Sequence, residues 1–362
     1  MNPGLHASMM AREIAEQPAT VQRTLDALLP LRKSLRELAG KRRHVLLVAR
    51  GSSDNAAVYG RYLLETHSKV PAALAAPSVA THYHSPIDLS DTVVVTVSQS
   101  GRTEEIVTAQ RWARSCRAVT VAITNDPTSP LAAEADAALV TQAGPELAVP
   151  ATKSYTAQLA ALAVFATALA PDPEALDDEL NRVPGELAAV LNQRSQVEPA
   201  VDLLAGDGPI LVVGRGLALG TALEVALKLE ETCLRPVRGL SYADLRHGPI
   251  AVVTTGVTAV LVSAADGPLV SGMTALADDL RRLCATVIGF GGDQEFRAAC
   301  DLGIAGPRLS ESVAPLGLIL PAQLMVEMLA RRLGLDPDAP RGLAKVTQTD
   351  SSPGTSTRRD VS

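Results

Sequence analysis

The chain has 362 residues, 47% of them hydrophobic but only 2% aromatic, so Val, Leu, Ile and Ala must fill its core, and the length suits two domains better than one. The net charge of −6 argues against a general nucleic-acid binder, which would carry a basic face, but leaves room for a local cationic pocket. Cys116, Cys233, Cys284 and Cys300 lie far apart with no CxxC pairing, and no leader or membrane-length apolar run is present, so a cytoplasmic protein with reduced thiols and no membrane partner is expected.

In chain order, the first forty residues read as helical. The segment Ala11 to Pro18 ends at a proline, and Thr20 to Leu38 places leucines at roughly helical spacing. The run His44-Val-Leu-Leu-Val-Ala-Arg then breaks into Gly51-Ser-Ser-Asp, the pattern of a buried strand, a tight turn and a helix from Asn55. Thr92-Val-Val-Val-Thr-Val-Ser98 repeats it, followed by Gln99-Ser-Gly-Arg-Thr-Glu-Glu. Strands are also expected at Val119 to Asn125 and Ala138 to Thr141. The alternation predicts a mostly parallel sheet covered by helices on both faces.

An internal repeat follows. Val45-Leu-Leu-Val-Ala-Arg-Gly-Ser-Ser aligns with Ile210-Leu-Val-Val-Gly-Arg-Gly-Leu-Ala, placing Arg50 and Arg215 about one domain length apart. Apolar helices are expected after both turns, at Ala56 to Glu65 and Thr221 to Glu231, with further strands at Ala259 to Ser263 and Ala285 to Gly289. The expected division is a helical segment (1–43), a first domain (44–190), a second domain (191–349) and a disordered tail (350–362) rich in Ser, Thr, Pro and Gly.

In open α/β sheets ligands bind beyond the carboxyl ends of the strands. Two such ends carry hydroxyl-rich turns, Gly51-Ser52-Ser53 and Ser98-Gln99-Ser100-Gly101-Arg102-Thr103. Glycine lets the backbone approach an anion, hydroxyls donate, and the following helix offers free N–H groups, which together suit a phosphate monoester. Serines that merely cap helices are the plainer alternative for either turn alone. Neither turn is a Walker loop. The turn Gly214-Arg-Gly-Leu-Ala-Leu-Gly220 is only a weak dinucleotide signal and lacks the hydroxyls, so one phosphate site per chain is expected.

The segment Glu224-Val-Ala-Leu-Lys228-Leu-Glu-Glu231 puts Glu224, Lys228 and Glu231 on one helix face. An exposed ion pair with a spare acid would look the same, but the apolar surroundings would make these carboxylates proton-transfer groups. His247, in Asp244-Leu-Arg-His-Gly-Pro249, and Lys345, in Pro340-Arg-Gly-Leu-Ala-Lys, have no special status from spacing alone.

Taken together, Glu13-Ile-Ala-Glu-Gln-Pro, Gly51-Ser-Ser, Ser98-Gln-Ser-Gly-Arg-Thr, Glu146-Leu-Ala-Val-Pro-Ala-Thr-Lys-Ser-Tyr-Thr-Ala-Gln158, Glu224-Val-Ala-Leu-Lys-Leu-Glu-Glu, Leu245-Arg-His-Gly-Pro and Pro340-Arg-Gly-Leu-Ala-Lys occur in one order. Over most of Ala11 to Thr347 the chain thereby resembles the sugar isomerase (SIS) family, in particular the isomerase domain of glutamine-dependent glucosamine-6-phosphate synthase. The resemblance implies two SIS modules, each a mostly parallel sheet in a three-layer α/β/α arrangement, the first binding phosphate and the second carrying a C-terminal active-site tail.

It also implies roles. Ser53, Ser98, Gln99, Ser100 and Thr103 would hold the phosphate, Gly51 and Ser52 would shape the turn, and Val149 and Thr152 would face the sugar. Glu231 would be the base, His247 the ring-opening residue reaching in from a neighbouring subunit of a homodimer with shared sites, and Lys345 the tail lysine near the open-chain carbonyl. Glu224 and Lys228 would complete the polar face. Ala151 departs from the family, replacing a hydroxyl residue in Val149-Pro-Ala-Thr-Lys153. Read as starting at Met1-Asn2, the chain has no glutaminase domain with an N-terminal cysteine, so glutamine-dependent synthesis is not expected. The implied activity is an amino-sugar-6-phosphate deaminase without metal or organic cofactor, with glucosamine 6-phosphate as substrate. A fructosamine-phosphate deglycase, a galactosamine-6-phosphate deaminase/isomerase and a non-catalytic sugar-phosphate sensor are the alternatives.

Overall fold

The structure, a computed structural model, describes residues 7–346 and 348. The expected disordered tail, 350–362, lies outside the described residues. Among the described residues, ten strands form two five-stranded sheets. The first holds β1 (His44–Val48), β2 (Ala72–Leu74), β3 (Thr92–Val97), β4 (Val119–Thr124) and β5 (Ala137–Val140) in the order β2-β1-β3-β4-β5. The second holds β6 (Ile210–Gly214), β7 (Val237–Ser241), β8 (Thr258–Ser263), β9 (Thr286–Gly291) and β10 (Leu302–Ile304) in the order β10-β9-β8-β6-β7. Every strand pair is parallel. Each sheet runs second-first-third-fourth-fifth in its own strands, so the repeat seen between β1 and β6 extends to the whole topology.

The sequence cause is plain in the central strands. β3 (Thr-Val-Val-Val-Thr-Val) and β8 (Thr-Ala-Val-Leu-Val-Ser) are buried at every residue, as a sheet covered on both faces demands. The strands without a sequence expectation, β2, β7 and β10, all lie at sheet edges. They are short or polar (Ala-Ala-Leu, Val-Arg-Gly-Leu-Ser, Leu-Gly-Ile) and become strands by pairing with a neighbour rather than by their own pattern.

Helix boundaries show two further differences. Pro18 does not end a helix: it stands in the first turn of helix Gln17–Leu28, where its missing N–H costs nothing. The helix after β1 begins at Ser52 rather than Asn55, so both serines of that turn belong to its first turn. The stretch 186–204, around the expected division between the two domains, is mostly helical, made of the end of helix Asp177–Leu191, a 3-10 turn at Arg194–Val197 and helix Glu198–Leu204.

One core runs through both halves. It joins β1, β3, β6 and β8 to helices Gln17–Leu28, Ser52–Leu63, Lys153–Leu169, Leu219–Cys233 and Pro315–Arg332. Two smaller cores lie on the outer sheet faces, one per half. Helix Lys153–Leu169 is buried at every residue from Lys153 to Ala168, which explains its weak amphipathic pattern. Among the described residues no helix is long and apolar enough to cross a membrane.

Candidate functional site

The two hydroxyl turns leave the carboxyl ends of β1 and β3, which are paired neighbours on either side of the point where strand order reverses. A doubly wound sheet opens its ligand crevice there. Gly51 (φ 56°) turns the chain into helix Ser52–Leu63. Gly101 (φ 61°) is required sterically as well, because a Cβ there would lie 2.2 Å from the Ser129 hydroxyl. Ser53 and Ser98 are buried, while Ser52, Gln99, Ser100 and Thr103 are half-buried around the turns. The Ser98 hydroxyl accepts the Gly101 N–H at 3.2 Å, and the Ser100 hydroxyl accepts the Arg102 N–H at 3.2 Å. Thr103 occupies the N-cap of helix Glu104–Ser115 but makes no capping hydrogen bond with its side chain, so the helix-capping alternative does not account for it. Arg50 and Arg102 are engaged by Glu105 and Asp126, leaving hydroxyls and N–H groups as the turns' donors.

The proposed acid–base side chains come from the other half, on helix Leu219–Cys233. They are not a surface ion pair: Glu224 and Lys228 are 0% and 1% exposed, and Glu231 is 26% exposed. The Lys228 ammonium stands between the two carboxylates, in a short contact with Glu231 and 3.5 Å from Glu224. It also donates to the Ser52 hydroxyl at 3.1 Å, which ties this helix to the first hydroxyl turn. Burial pushes the Glu224 carboxyl up, against the opposing pull of Lys228 and Asn55. Burial would discharge Lys228, but Glu224 and Glu231 outweigh it and raise its pKa, so the ammonium persists at neutral pH.

Glu146 organises the turn that carries Val149 and Thr152. Fully buried, its carboxylate accepts from the Thr152 N–H (2.9 Å) and hydroxyl (3.2 Å), from the Ser154 N–H (3.0 Å) and hydroxyl, and from Lys345 Nζ (2.8 Å). Lys345 also donates to the Ala148 carbonyl at 2.7 Å. Burial opposes ionisation of Glu146, yet the Lys345 ammonium and the Ser154 donors hold its pKa below the ordinary value. Half-buried Val149 sits in the same turn, its N–H donating to the Asp338 carbonyl at 2.8 Å. Further along the chain, the Gln348 side chain accepts the Glu104 N–H at 3.1 Å beside the second hydroxyl turn. Lys345 is therefore not an ordinary surface lysine.

The fold thus brings together Ser52, Glu224, Lys228 and Glu231 in one contact network, and Thr152 with Lys345 around Glu146. His247 is not part of either. It ends the short helix Tyr242–Arg246, is exposed, and makes no hydrogen bond or ion pair through its imidazole among the described residues. Asn55, which donates to Glu224 at 2.9 Å, and Glu146, the hub under Lys345, had no role assigned from sequence. Only their tertiary neighbours single them out.

With this geometry in view, comparison with known proteins is informative. Residues 37–168 match the SIS domain model. The chain is 31% identical over 342 residues to a glutamine–fructose-6-phosphate aminotransferase (isomerizing) of Aquifex aeolicus, an alignment that covers 94% of this chain and 58% of that protein. It therefore spans little more than half the length of such relatives. The C-terminal domain of glucosamine-fructose-6-phosphate aminotransferase from Francisella tularensis superposes with a TM-score of 0.83 at 27% identity, over 94% of this chain and 100% of that one. The crystal structure of a protein inferred to be a phosphosugar isomerase, from Silicibacter pomeroyi, superposes with a TM-score of 0.82 at 32% identity, over 92% and 100% of the two chains. Shared topology in both sheets, the hydroxyl turns and these alignments lead to one conclusion: the chain belongs to the SIS domain family and is built from two SIS-type α/β modules.

Proposed function

We propose that the chain is an amino-sugar-6-phosphate deaminase/isomerase that converts glucosamine 6-phosphate to fructose 6-phosphate and ammonia. The observation that carries this reading is the Lys228 bridge, which sets Glu224 and Glu231 of one half against Ser52 in the phosphate turn of the other. A phosphate anchored on the turns by Ser53, Ser98, Gln99, Ser100 and Thr103 would present the distal end of an open-chain hexose to these carboxylates. Relatives named as an isomerizing fructose-6-phosphate aminotransferase and as a phosphosugar isomerase support the substrate class.

The steps need only positioned acids and bases. His247, supplied by a neighbouring subunit, opens the ring. Glu231 removes the C2 proton while the C1 oxygen takes one up from solvent, forming an enolamine; it then returns its proton to C1 as the nitrogen gives one up to solvent, leaving the ketimine. Water then adds at C2 and ammonia leaves, producing the ketose phosphate. Lys345, paired with Glu146 at 2.8 Å, supplies positive charge near the carbonyl oxygen as electron density builds there. Lys228 steadies the base between proton transfers. In this scheme ammonia is released free and glutamine takes no part.

A fructosamine-phosphate deglycase or galactosamine-6-phosphate deaminase/isomerase would share this machinery and differ around residues 149–153. The test is incubation of the purified chain with glucosamine, galactosamine and fructosamine 6-phosphates while ammonia and ketose 6-phosphate are followed. Glucosamine 6-phosphate as the best substrate supports the proposal. Binding without ammonia release or C1/C2 proton exchange overturns it in favour of a sensor.

A further inference from the structure

We infer that Asn55 is a positioning residue for this reaction: from the helix that carries the first phosphate turn, its side-chain amide fixes Glu224 and thereby the placement of Lys228 and Glu231. The inference rests on the proposed reaction for its kinetic consequence but not for its electrostatic one.

The structural basis is a direct crossing of the two halves. Asn55 Nδ2 donates to Glu224 Oε2 at 2.9 Å, and three residues earlier Ser52 accepts from Lys228 at 3.1 Å. One helix turn thus touches two of the three acid–base side chains. The crossing has no slack, since Gly220 packs so closely that a Cβ there would lie 2.4 Å from the Asn55 carbonyl oxygen. The other Glu224 oxygen, Oε1, is buried without a well-formed hydrogen bond and lies 3.5 Å from the Lys228 ammonium. A fully buried carboxylate in that state depends strongly on each remaining donor.

Groups from its own helix and from two others bear on Glu224. Lys228 and Glu231 share its helix, Ser52 and Asn55 come from Ser52–Leu63, and Tyr155, held neutral by burial, comes from Lys153–Leu169. Glu146 acts on Lys228. Helix Pro315–Arg332 turns its charges elsewhere: Glu327 to Ser8 and Arg194, and Arg332 to Asp202. Asn55 is therefore the donor whose loss leaves the other charges in place. Without it, burial favours protonated Glu224. Lys228 then loses the Glu224 counter-charge and withdraws onto Glu231, displacing the base.

The test compares wild type with Asn55→Ala and the isosteric Asn55→Asp, which removes the donor without changing shape. Glutamate carboxyl carbons are labelled with ¹³C and titrated by NMR, with Glu224→Gln assigning the resonance. Glu224 should titrate at higher pH in Asn55→Ala and higher still in Asn55→Asp. Turnover of glucosamine 6-phosphate should fall about tenfold with KM unchanged, the size expected for one hydrogen bond to a charged group. An unshifted Glu224 midpoint in either folded variant, or a raised KM with intact kcat, overturns the inference. A wild type that deaminates no sugar phosphate overturns the proposed reaction instead, because the titration needs no substrate.

Discussion

Gly220 offers the sharpest test of the idea that one helix crossing registers the two halves of the site. In Gly220→Ala the new Cβ would sit 2.4 Å from the Asn55 carbonyl oxygen, 3.2 Å from the Tyr59 nitrogen and 3.5 Å from the Tyr59 Cβ. Two of these neighbours are backbone atoms in the middle of a buried helix, so no side chain can swing away. Relief requires helices Ser52–Leu63 and Leu219–Cys233 to part by roughly 1 Å, the gap between the clash and ordinary van der Waals contact. Overpacking of this kind costs about 1–3 kcal/mol. Alanine's better helix propensity returns about 1 kcal/mol at most, so a net loss on the order of 1–2 kcal/mol is expected in urea unfolding monitored by circular dichroism. The same displacement separates Asn55 from Glu224 and Ser52 from Lys228. A misplacement of about 1 Å in a catalytic constellation can cost on the order of 100-fold in rate, so kcat should fall far more than stability, with phosphate affinity nearly kept. A folded Gly220→Ala protein with wild-type turnover would refute the claim that this crossing sets the geometry.

Three further outcomes follow from the site. Thr103→Val, which removes an N-cap hydroxyl with no capping role, should weaken sugar-phosphate binding about tenfold or more with little change in melting temperature, measured by calorimetry. Mixing inactive Glu231→Gln chains with inactive His247→Ala chains should restore part of the activity, because His247 makes no contact in its own chain's network; absence of recovery after proven subunit exchange would refute shared sites. Lys345→Met leaves the fully buried Glu146 carboxylate without its cation and should cost about 3–5 kcal/mol at neutral pH. In wild type the Glu146 pKa lies below its unfolded value, so its stabilisation is present above that unfolded value and lost as pH falls through the folded one. The variant reverses the sign: its Glu146 pKa rises, and acidification protonates the stranded carboxyl and narrows the stability gap to wild type. A gap that widens in acid would contradict this account.

Local pattern was sufficient for several features. The valine-rich runs of β3 and β8, buried on both faces, betray central parallel strands because no polar position is needed along them. The glycines and hydroxyls after β1 and β3 mark turns that can meet an anion, and the spacing of Glu224, Lys228 and Glu231 puts them on one helical face by geometry alone. Alignment of the β1 and β6 turns announces the duplication. Tertiary structure alone decided the rest. Edge strands β2, β7 and β10 carry no pattern of their own because their neighbours supply the pairing. Whether Glu224 and Lys228 faced water or the interior could not be read from spacing, since an exposed ion pair and a buried one have the same sequence. The roles suggested for Asn55 and Glu146 arise from partners far away in the chain, Glu224 and Lys345. Hydrogen bonds between distant segments leave no periodic trace, so only the packing of one half against the other could reveal them.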